Sequence, residues 1–185
     1  MPAWSWINPA RGELYSWRRK LAHTAADKGP DLLTIIGPKW RGERISWSSL
    51  FPHPVHPCCI ADGTDKKLEV ISGFRFCISV ENYRGTLDYI SEKILDPIVA
   101  GSVPVYLGDE NIAQTVPAAA FVDVRNFRSQ RELLLYLETC PRAEWEAMHA
   151  AGQAFITSEK AQAFSTESFV TQMNDVLLKV LGLSR

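Results

Sequence analysis

The sequence predicts an α/β fold with a parallel sheet, and two observations support this prediction. Four short apolar segments have the length and composition of buried strands, and segments with helical spacing separate most of them. Further amphipathic segments then close the chain. Because strands that alternate with helices pair in parallel, we expect helices to cover both faces of the sheet. The predicted strands are Asp31–Gly37, Phe74–Val80, Val103–Gly108 and Phe121–Val124.

The first part of the chain contains two predicted helices and a long irregular connection. From Glu13 to Asp27, apolar residues recur every three or four positions, which is typical of an amphipathic helix. The segment Pro38–Ile60 is rich in Pro, Trp, Ser and His and has no period, so we predict a loop. A short helix follows, with Thr64 or Asp65 as its N-cap and Gly73 at its end.

A third helix is predicted between the second and third strands. Asp88 is its predicted N-cap, the helix runs to Ala100, and Gly101 follows at the position after a helix that glycine favours. Pro97 lies inside this helix and is expected to kink it.

Three helices are predicted after the last strand. Ser129 is the predicted cap of the first of them, which runs to Cys140. Pro141 and Thr166 mark the starts of the two amphipathic helices that close the chain.

Length and composition restrict the class of protein. A chain of 185 residues with 46% hydrophobic residues is long enough for one domain with a buried core. The net charge of −1 argues against a nucleic-acid partner. No apolar run approaches the roughly 20 residues of a membrane span. The first twenty residues do not have the pattern of a signal peptide, in which basic residues precede an apolar segment, so we predict an intracellular protein.

The sequence contains no metal-binding motif. Cys58 and Cys59 are adjacent, and neither Cys77 nor Cys140 forms a CxxC pair with another cysteine. We therefore predict no metal and no cofactor.

The segment YISEK, residues 89–93, is the strongest candidate for a binding site. Free N–H groups and the positive end of the dipole make a helix N-terminus suitable for phosphate. Lys93 adds a cation there, the Glu92 carboxylate has acceptors for the two hydroxyls of a ribose, and Asn82 follows the preceding strand. The alternative is an exposed acid–base pair with no role, since most exposed charges are only solvated.

Two further groups of residues are weaker candidates. Arg18 and Arg19 lie on the first predicted helix, where a guanidinium would bind two oxygens of a pyrophosphate, although basic pairs usually only decorate a solvated face. Gly108 ends a strand, and Asn111 follows it in a polar turn. In parallel sheets, ligands bind beyond the carboxyl ends of the strands, so this turn could line the same cleft.

Several motifs in fixed order resemble glycosyltransferase family 10, the α-1,3/α-1,4-fucosyltransferases. The sequence contains VEN, YISEK, AGSVPVYLG, FVDVRNF and ELLLYL with the order and spacing of that family's C-terminal half. Upstream, LYSWRRKL and DKKLEVISGFRF are similar to the family's basic helix and to the segment that precedes its VEN-like motif. The resemblance covers about residues 13–140. One departure is Val80, which stands where the family pattern has phenylalanine.

The resemblance implies the fold, the substrate and the roles of the site residues. The fold would be the Rossmann-like C-terminal half of a GT-B fold, and the donor would be GDP-fucose, from which fucose passes with inversion to a hydroxyl of a glycan acceptor. Glu92 would hold the ribose. Lys93, with Arg18 or Arg19, would neutralise the departing pyrophosphate.

The resemblance also implies which residues line the donor pocket. Asn82 and Tyr89 would shape it, and Glu81, Gly108 and Asn111 are further candidate pocket residues. The catalytic residues remain unassigned, because the family's general base belongs to the N-terminal acceptor domain.

We expect residues 1–60 to lead into a nucleotide-sugar-binding domain over 61–185, with the acceptor domain absent from this chain. The expected partners are a nucleotide sugar, a glycan acceptor, and a missing N-terminal domain or a second copy, with no nucleic acid. The expected location is the cytoplasm or the membrane periphery in bacteria, and the Golgi membrane in eukaryotes with an anchor outside this chain. Two alternatives stay open: a GT-B transferase for another nucleotide sugar, and a degenerate interaction domain without catalysis.

Overall fold

A computed structural model of the protein describes residues 12–28, 32–35, 66–85 and 88–183. The helices of four or more residues are α1 (Tyr15–Lys28), α2 (Lys67–Ser72), α3 (Glu92–Ala100), α4 (Ile112–Thr115), α5 (Gln130–Thr139), α6 (Arg142–Ile156), α7 (Glu159–Gln162) and α8 (Thr166–Val180). The strands are β1 (Phe76–Val80), β2 (Val103–Leu107) and β3 (Val122–Asp123).

The three strands of the described residues form one parallel sheet in the order β1-β2-β3. Phe76 pairs with Val103 at one end of the β1–β2 ladder, and Val80 pairs with Leu107 at the other. Strand β3 adds only two pairs, of which the first joins Val105 to Val122. The predicted parallel α/β sheet is therefore confirmed. All three strands end at the same edge of the sheet, where ligands of such folds bind.

Alternation along β2 divides the core between the two faces of the sheet. Successive side chains of a strand point to opposite faces. On one face, buried Tyr106 packs with Ile94 and Ile98 of α3 and with Phe155 of α6. The cluster on the other face contains Val103 and Val105 of β2, together with α1 and α5 residues such as Leu21 and Leu133. Helices therefore cover both faces, as predicted.

Helix α1 confirms the first predicted amphipathic segment. Leu14, Leu21 and Ala25 are buried, and Trp17 is half-buried. The chain just before the helix also pairs with the loop that follows β1, through an antiparallel bridge between Glu13 and Tyr83. This pairing fixes the start of α1 at the carboxyl edge of the sheet.

Helix α3 begins later than the sequence predicted. Asp88 was the predicted N-cap, but its φ is 60°, and the helix starts at Glu92 with Ser91 as its cap. The Ser91 hydroxyl accepts from the backbone N–H of Lys93, and its backbone N–H donates to a Glu81 carboxylate oxygen 3.0 Å away. Ser91 therefore has a buried partner that fixes it as the cap, and the four residues before the helix form a turn.

Helix α2 also differs from its prediction at the start. Lys66 occupies the N-cap position and makes no capping hydrogen bond through its side chain, while the predicted caps Thr64 and Asp65 lie outside the described residues. Gly73 ends the helix as predicted. Of the predicted strand Asp31–Gly37, only residues 32–35 are described: Ile35 takes part in a β-bridge, and none of the four belongs to β1, β2 or β3. The predicted loop Pro38–Ile60 lies outside the described residues.

The remaining predicted caps agree with the structure. The Ser129 hydroxyl accepts from the backbone N–H of Glu132 at the start of α5, Pro141 precedes the first residue of α6, and α8 begins at Thr166. Helix α3 continues through Pro97, whose ring is buried. Because proline has no N–H, the Lys93 carbonyl lacks its usual partner within the helix.

Helix α8 has no buried residue, although it carries several large apolar side chains. Phe169, Val176 and Val180 are among its exposed members. Within the described parts of the chain, no helix is both long and apolar enough to cross a membrane.

The two helices that end in glycine provide a matched test of backbone strain. Gly101 has φ 81°, in the left-handed region, whereas Gly73 has φ −77°. Neither added Cβ would meet an atom within 3.4 Å. We expect Gly101→Ala to lower the free energy of unfolding by about 1–2 kcal/mol, because only the left-handed conformation penalises a Cβ.

Gly73→Ala is the control and should change stability by less than about 0.5 kcal/mol. Urea denaturation followed by circular dichroism measures both variants. Equal effects of the two substitutions would contradict the account of how α3 ends.

Candidate functional site

The candidate site lies at the carboxyl edge of the sheet, where four segments meet. The residues that follow β1 and β2, the start of α1 and the N-terminus of α3 all contribute to it. Two backbone hydrogen bonds join these segments: Leu14 N donates to Asn82 O over 2.9 Å, and Glu81 N donates to Leu107 O over 2.8 Å. The site is therefore built on the sheet and on the ends of two helices.

Glu81 is a carboxylate buried at the base of the site. Its side chain is 0% exposed, and it follows the last residue of β1. The Ser91 hydroxyl oxygen lies 2.8 Å from each carboxylate oxygen, and Lys93 Nζ lies 3.1 Å from Oε2. A buried carboxylate needs such partners, because leaving it unpaired in the protein interior is costly.

Lys93 is held at the N-terminus of α3 by this carboxylate. Its ammonium group also lies 3.0 Å from the Ser91 hydroxyl oxygen, and its side chain keeps an exposed fraction of 23%. The cation therefore faces the site from a fixed position, beside the positive end of the α3 dipole. Glu92, the first residue of the helix, is far more exposed, with a side-chain fraction of 58%.

Arg18 reaches the same edge from α1. Its Nη2 donates to Asn82 Oδ1 over 3.0 Å, and its guanidinium carbon lies 4.6 Å from the centre of the Tyr15 ring. Burial lowers the pKa of the Arg18 guanidinium, while Tyr15 and Glu81 act in the opposite direction. The guanidinium is thus a cation that has lost part of its hydration, a state in which an anionic ligand is bound more strongly.

Gly108 leaves room for the Glu81 and Tyr106 side chains to pack against the backbone at the site. A Cβ at this position would lie 2.5 Å from Glu81 Cγ and 2.4 Å from the Tyr106 hydroxyl oxygen, which no residue with a side chain tolerates. The Tyr106 hydroxyl accepts from Asp109 N over 3.0 Å. Burial raises the pKa of Tyr106 to about 12, so this hydroxyl stays neutral below that pH. The predicted pocket residue Gly108 is therefore a site of close packing against Glu81.

The other predicted residues lie on three different segments. Tyr89 is half-buried in the turn before α3, and Arg19 is half-buried on α1 next to Arg18. Asn111 is exposed at the N-cap of α4, where its side chain makes no capping bond. Asn111 follows β2 beyond Gly108, and its role as a pocket residue stays a prediction.

Sequence reasoning missed the residues that support the site. Ser91 was overlooked because Asp88, three residues earlier, is also a good capping type; a serine directly before Glu-Lys at a helix start was the available signal. Tyr106 was predicted only as part of a strand, with no role in the site. Glu81 was predicted as a pocket residue, but its complete burial makes it a support for Lys93. The described residues contain no group of three or more His, Cys, Asp or Glu that could hold a metal ion.

The sequence matches a known family over the segments that form this site. The family model for glycosyltransferase family 10 (fucosyltransferase), C-term, matches residues 56–149, just over half of the chain. The chain belongs to this fucosyltransferase family. The matched range includes β1, the buried Glu81, the turn before α3 and all of β2. The Rossmann-like sheet that the sequence predicted agrees with this membership.

Individual relatives match over shorter stretches. 4-Galactosyl-N-acetylglucosaminide 3-alpha-L-fucosyltransferase 9 of Bos taurus is 44% identical over 78 residues, which are 40% of this chain and 21% of the relative. GDP-fucose protein O-fucosyltransferase 3 of Gallus gallus is 31% identical over 106 residues, 57% of this chain and 22% of the relative. The chain thus spans about a fifth of the length of these relatives.

Solved structures of α1,3-fucosyltransferases are also similar to the chain. One is 26% identical with a TM-score of 0.43, and covers 49% of this chain and 27% of its own. Another, solved with GDP-fucose, is 19% identical with a TM-score of 0.47, and covers 74% of this chain and 44% of its own.

The Glu81–Lys93 pair has an exposed counterpart that serves as a control. Lys28 Nζ and Glu138 Oε2 lie 3.3 Å apart, with exposed side-chain fractions of 31% and 54%. We expect Glu81→Ala to lower the free energy of unfolding by about 3 kcal/mol, because it breaks a buried pair and leaves Ser91 and Lys93 without their acceptor.

Glu138→Ala should cost at most about 1 kcal/mol, because its pair with Lys28 is exposed. Chemical denaturation at neutral pH measures both variants. Similar small losses for the two substitutions would show that Glu81 does not support the site.

Proposed function

We propose that this chain binds GDP-fucose as the donor-binding part of a fucosyltransferase. The reaction is an inverting transfer, in which a hydroxyl of a glycan acceptor attacks the anomeric carbon of fucose and GDP departs. One observation carries the proposal: in a member of family 10, buried Glu81 fixes Lys93 at the N-terminus of α3, and Asn82, the residue after Glu81, accepts a hydrogen bond from Arg18.

The pyrophosphate is assigned to the cations at this edge. Lys93 is oriented by Glu81 but remains partly exposed, so a phosphate oxygen can approach its ammonium group. Arg18 is already desolvated in part, and a guanidinium matches the geometry of two phosphate oxygens. Arg19, the neighbouring basic residue, is the second candidate on α1. Negative charge develops on the leaving GDP, and fixed cations in the site stabilise it as it forms.

The ribose is assigned to Glu92. Glu92 is the first residue of α3, directly before Lys93, and its carboxylate is exposed. Glu92 can therefore reach the ribose hydroxyls of a nucleotide whose pyrophosphate is bound by Lys93. Asn82 and Tyr89 are assigned to the walls of the donor pocket, since one follows β1 and the other belongs to the turn before α3.

The acceptor and the general base are assigned outside the described residues. The curated relatives extend well beyond the matched segments, and the name of the Bos taurus relative describes a galactosyl-N-acetylglucosaminide acceptor. For this chain we propose only a glycan hydroxyl as the acceptor class. A transfer assay with this chain, with and without a separately supplied N-terminal acceptor domain, measures whether the base is needed from elsewhere.

Calorimetric titration of the full chain with nucleotides tests donor binding. GDP and GDP-fucose should bind, while UDP and ADP should bind more weakly, and binding should persist in EDTA because side-chain cations carry the pyrophosphate. Arg18→Gln and Lys93→Ala should each weaken GDP binding by about 10-fold or more, the effect of losing a charge-assisted hydrogen bond.

Arg142→Ala is the matched control, because Arg142 pairs with Glu146 on the exposed surface of α6 and should leave the Kd for GDP unchanged. Circular dichroism confirms that each variant is folded. Failure of the unaltered chain to bind GDP would overturn the proposal, and preference for UDP or ADP would favour another nucleotide sugar.

A further inference from the structure

Five side chains at the start of α3 form a chain of alternating charges. It begins at buried Glu81 and continues through Lys93, Glu92 and Lys67 to Asp96. The successive nitrogen–oxygen distances are 3.1, 3.9, 3.8 and 2.6 Å. The two outer distances are those of direct hydrogen-bonded ion pairs, and the two inner distances are longer.

The long inner distances leave the Glu92 carboxylate able to bind a ligand. Both ammonium groups approach the same oxygen, Oε1, at 3.8 and 3.9 Å. These separations exceed the range of N–H···O hydrogen bonds, so the two cations attract the carboxylate without occupying its lone pairs. Glu92 is therefore restrained by charge on two sides, while its acceptor sites remain available for hydroxyl donors.

Lys67 is itself fixed by Asp96. Its Nζ lies 2.6 Å from Asp96 Oδ2, and it is the first residue of α2, which packs against α3. Asp96 follows Glu92 by four residues, so the two carboxylates lie on the same face of α3. Without Lys67 between them they would repel each other, and Lys93 alone would attract Glu92.

We propose that Lys67 and Asp96 are positioning residues that orient Glu92 toward the ribose hydroxyls of the donor nucleotide. This inference rests on the proposed function and adds two residues, one of them on α2. Lys67 acts through Glu92, so its loss should weaken recognition of the ribose hydroxyls rather than of the pyrophosphate. Neither residue is required to touch the nucleotide.

The test compares the full chain's affinity for GDP with its affinity for 2′,3′-dideoxy-GDP, which lacks both hydroxyls. The ratio of the two Kd values reports binding of the hydroxyls alone. We expect Glu92→Gln to bring this ratio close to one, because the variant no longer distinguishes the nucleotide with hydroxyls from the one without them. Lys67→Met should reduce it by about threefold, within the range measured for partly exposed ion pairs, and should leave the Kd for dideoxy-GDP nearly unchanged.

Two further variants separate positioning from general destabilisation. Lys67→Arg keeps the positive charge between Glu92 and Asp96, so the ratio of the two Kd values should be close to that of the unaltered chain. Lys28→Met removes another half-exposed lysine that pairs with a carboxylate, Glu138, away from α3, and should leave the ratio unchanged.

The outcomes distinguish this inference from the proposed function. If Lys67→Met weakens both nucleotides equally, or changes neither, Lys67 does not position Glu92 and the inference is overturned while GDP binding stands. If the unaltered chain does not bind GDP, the proposed function fails first and the inference fails with it.

Discussion

The candidate site depends on the hydrogen bonds and the ion pair made by the buried carboxylate of Glu81. This group follows β1, and its partners Ser91 and Lys93 belong to the start of α3. One side chain therefore joins the end of a strand to the beginning of a helix and also sets the position of the lysine. A fully buried carboxylate tolerates few alternative arrangements, because any arrangement that leaves it unpaired is costly.

The surrounding residues serve the same arrangement. Gly108 has no side chain at the position where one would collide with Glu81, so the Glu81 side chain can lie against the backbone there. The antiparallel bridge between Glu13 and Tyr83 holds the start of α1 at the site. From α1, Arg18 donates a hydrogen bond to Asn82. The backbone thus brings two cations to one edge before any ligand is bound. Such preorganisation lowers the cost of binding a pyrophosphate.

Much of this architecture could be predicted from the sequence, because periodicity and caps are local signals. The stripe of α1, the strands β1 and β2, the glycine after α3 and the cap Ser129 all agreed with the structure. The start of α3 did not, because Asp88 and Ser91 are both good capping residues and only a partner from another segment decides between them. That partner, Glu81, lies ten positions before Ser91, and no local pattern reveals the contact.

The same limit applies to the side chains of the site. Sequence reasoning placed Glu92 and Lys93 at a helix start, but it did not predict that Lys93 would turn inward to Glu81 while Glu92 faced solvent. It also gave no reason to consider Lys67, because α2 and α3 meet only through the fold. The role of Asn111 was predicted from its place after a strand, and it stays a prediction, because its exposed side chain makes no capping bond that would fix its direction.

A crystal structure of the full chain with GDP tests most directly whether Lys93 and Glu92 form the donor site. We expect a phosphate oxygen within about 3 Å of Lys93 Nζ, the range of a charge-assisted hydrogen bond, with the ribose hydroxyls at the Glu92 carboxylate. GDP bound elsewhere on the chain, with Lys93 still paired only to Glu81 and Ser91, would contradict it.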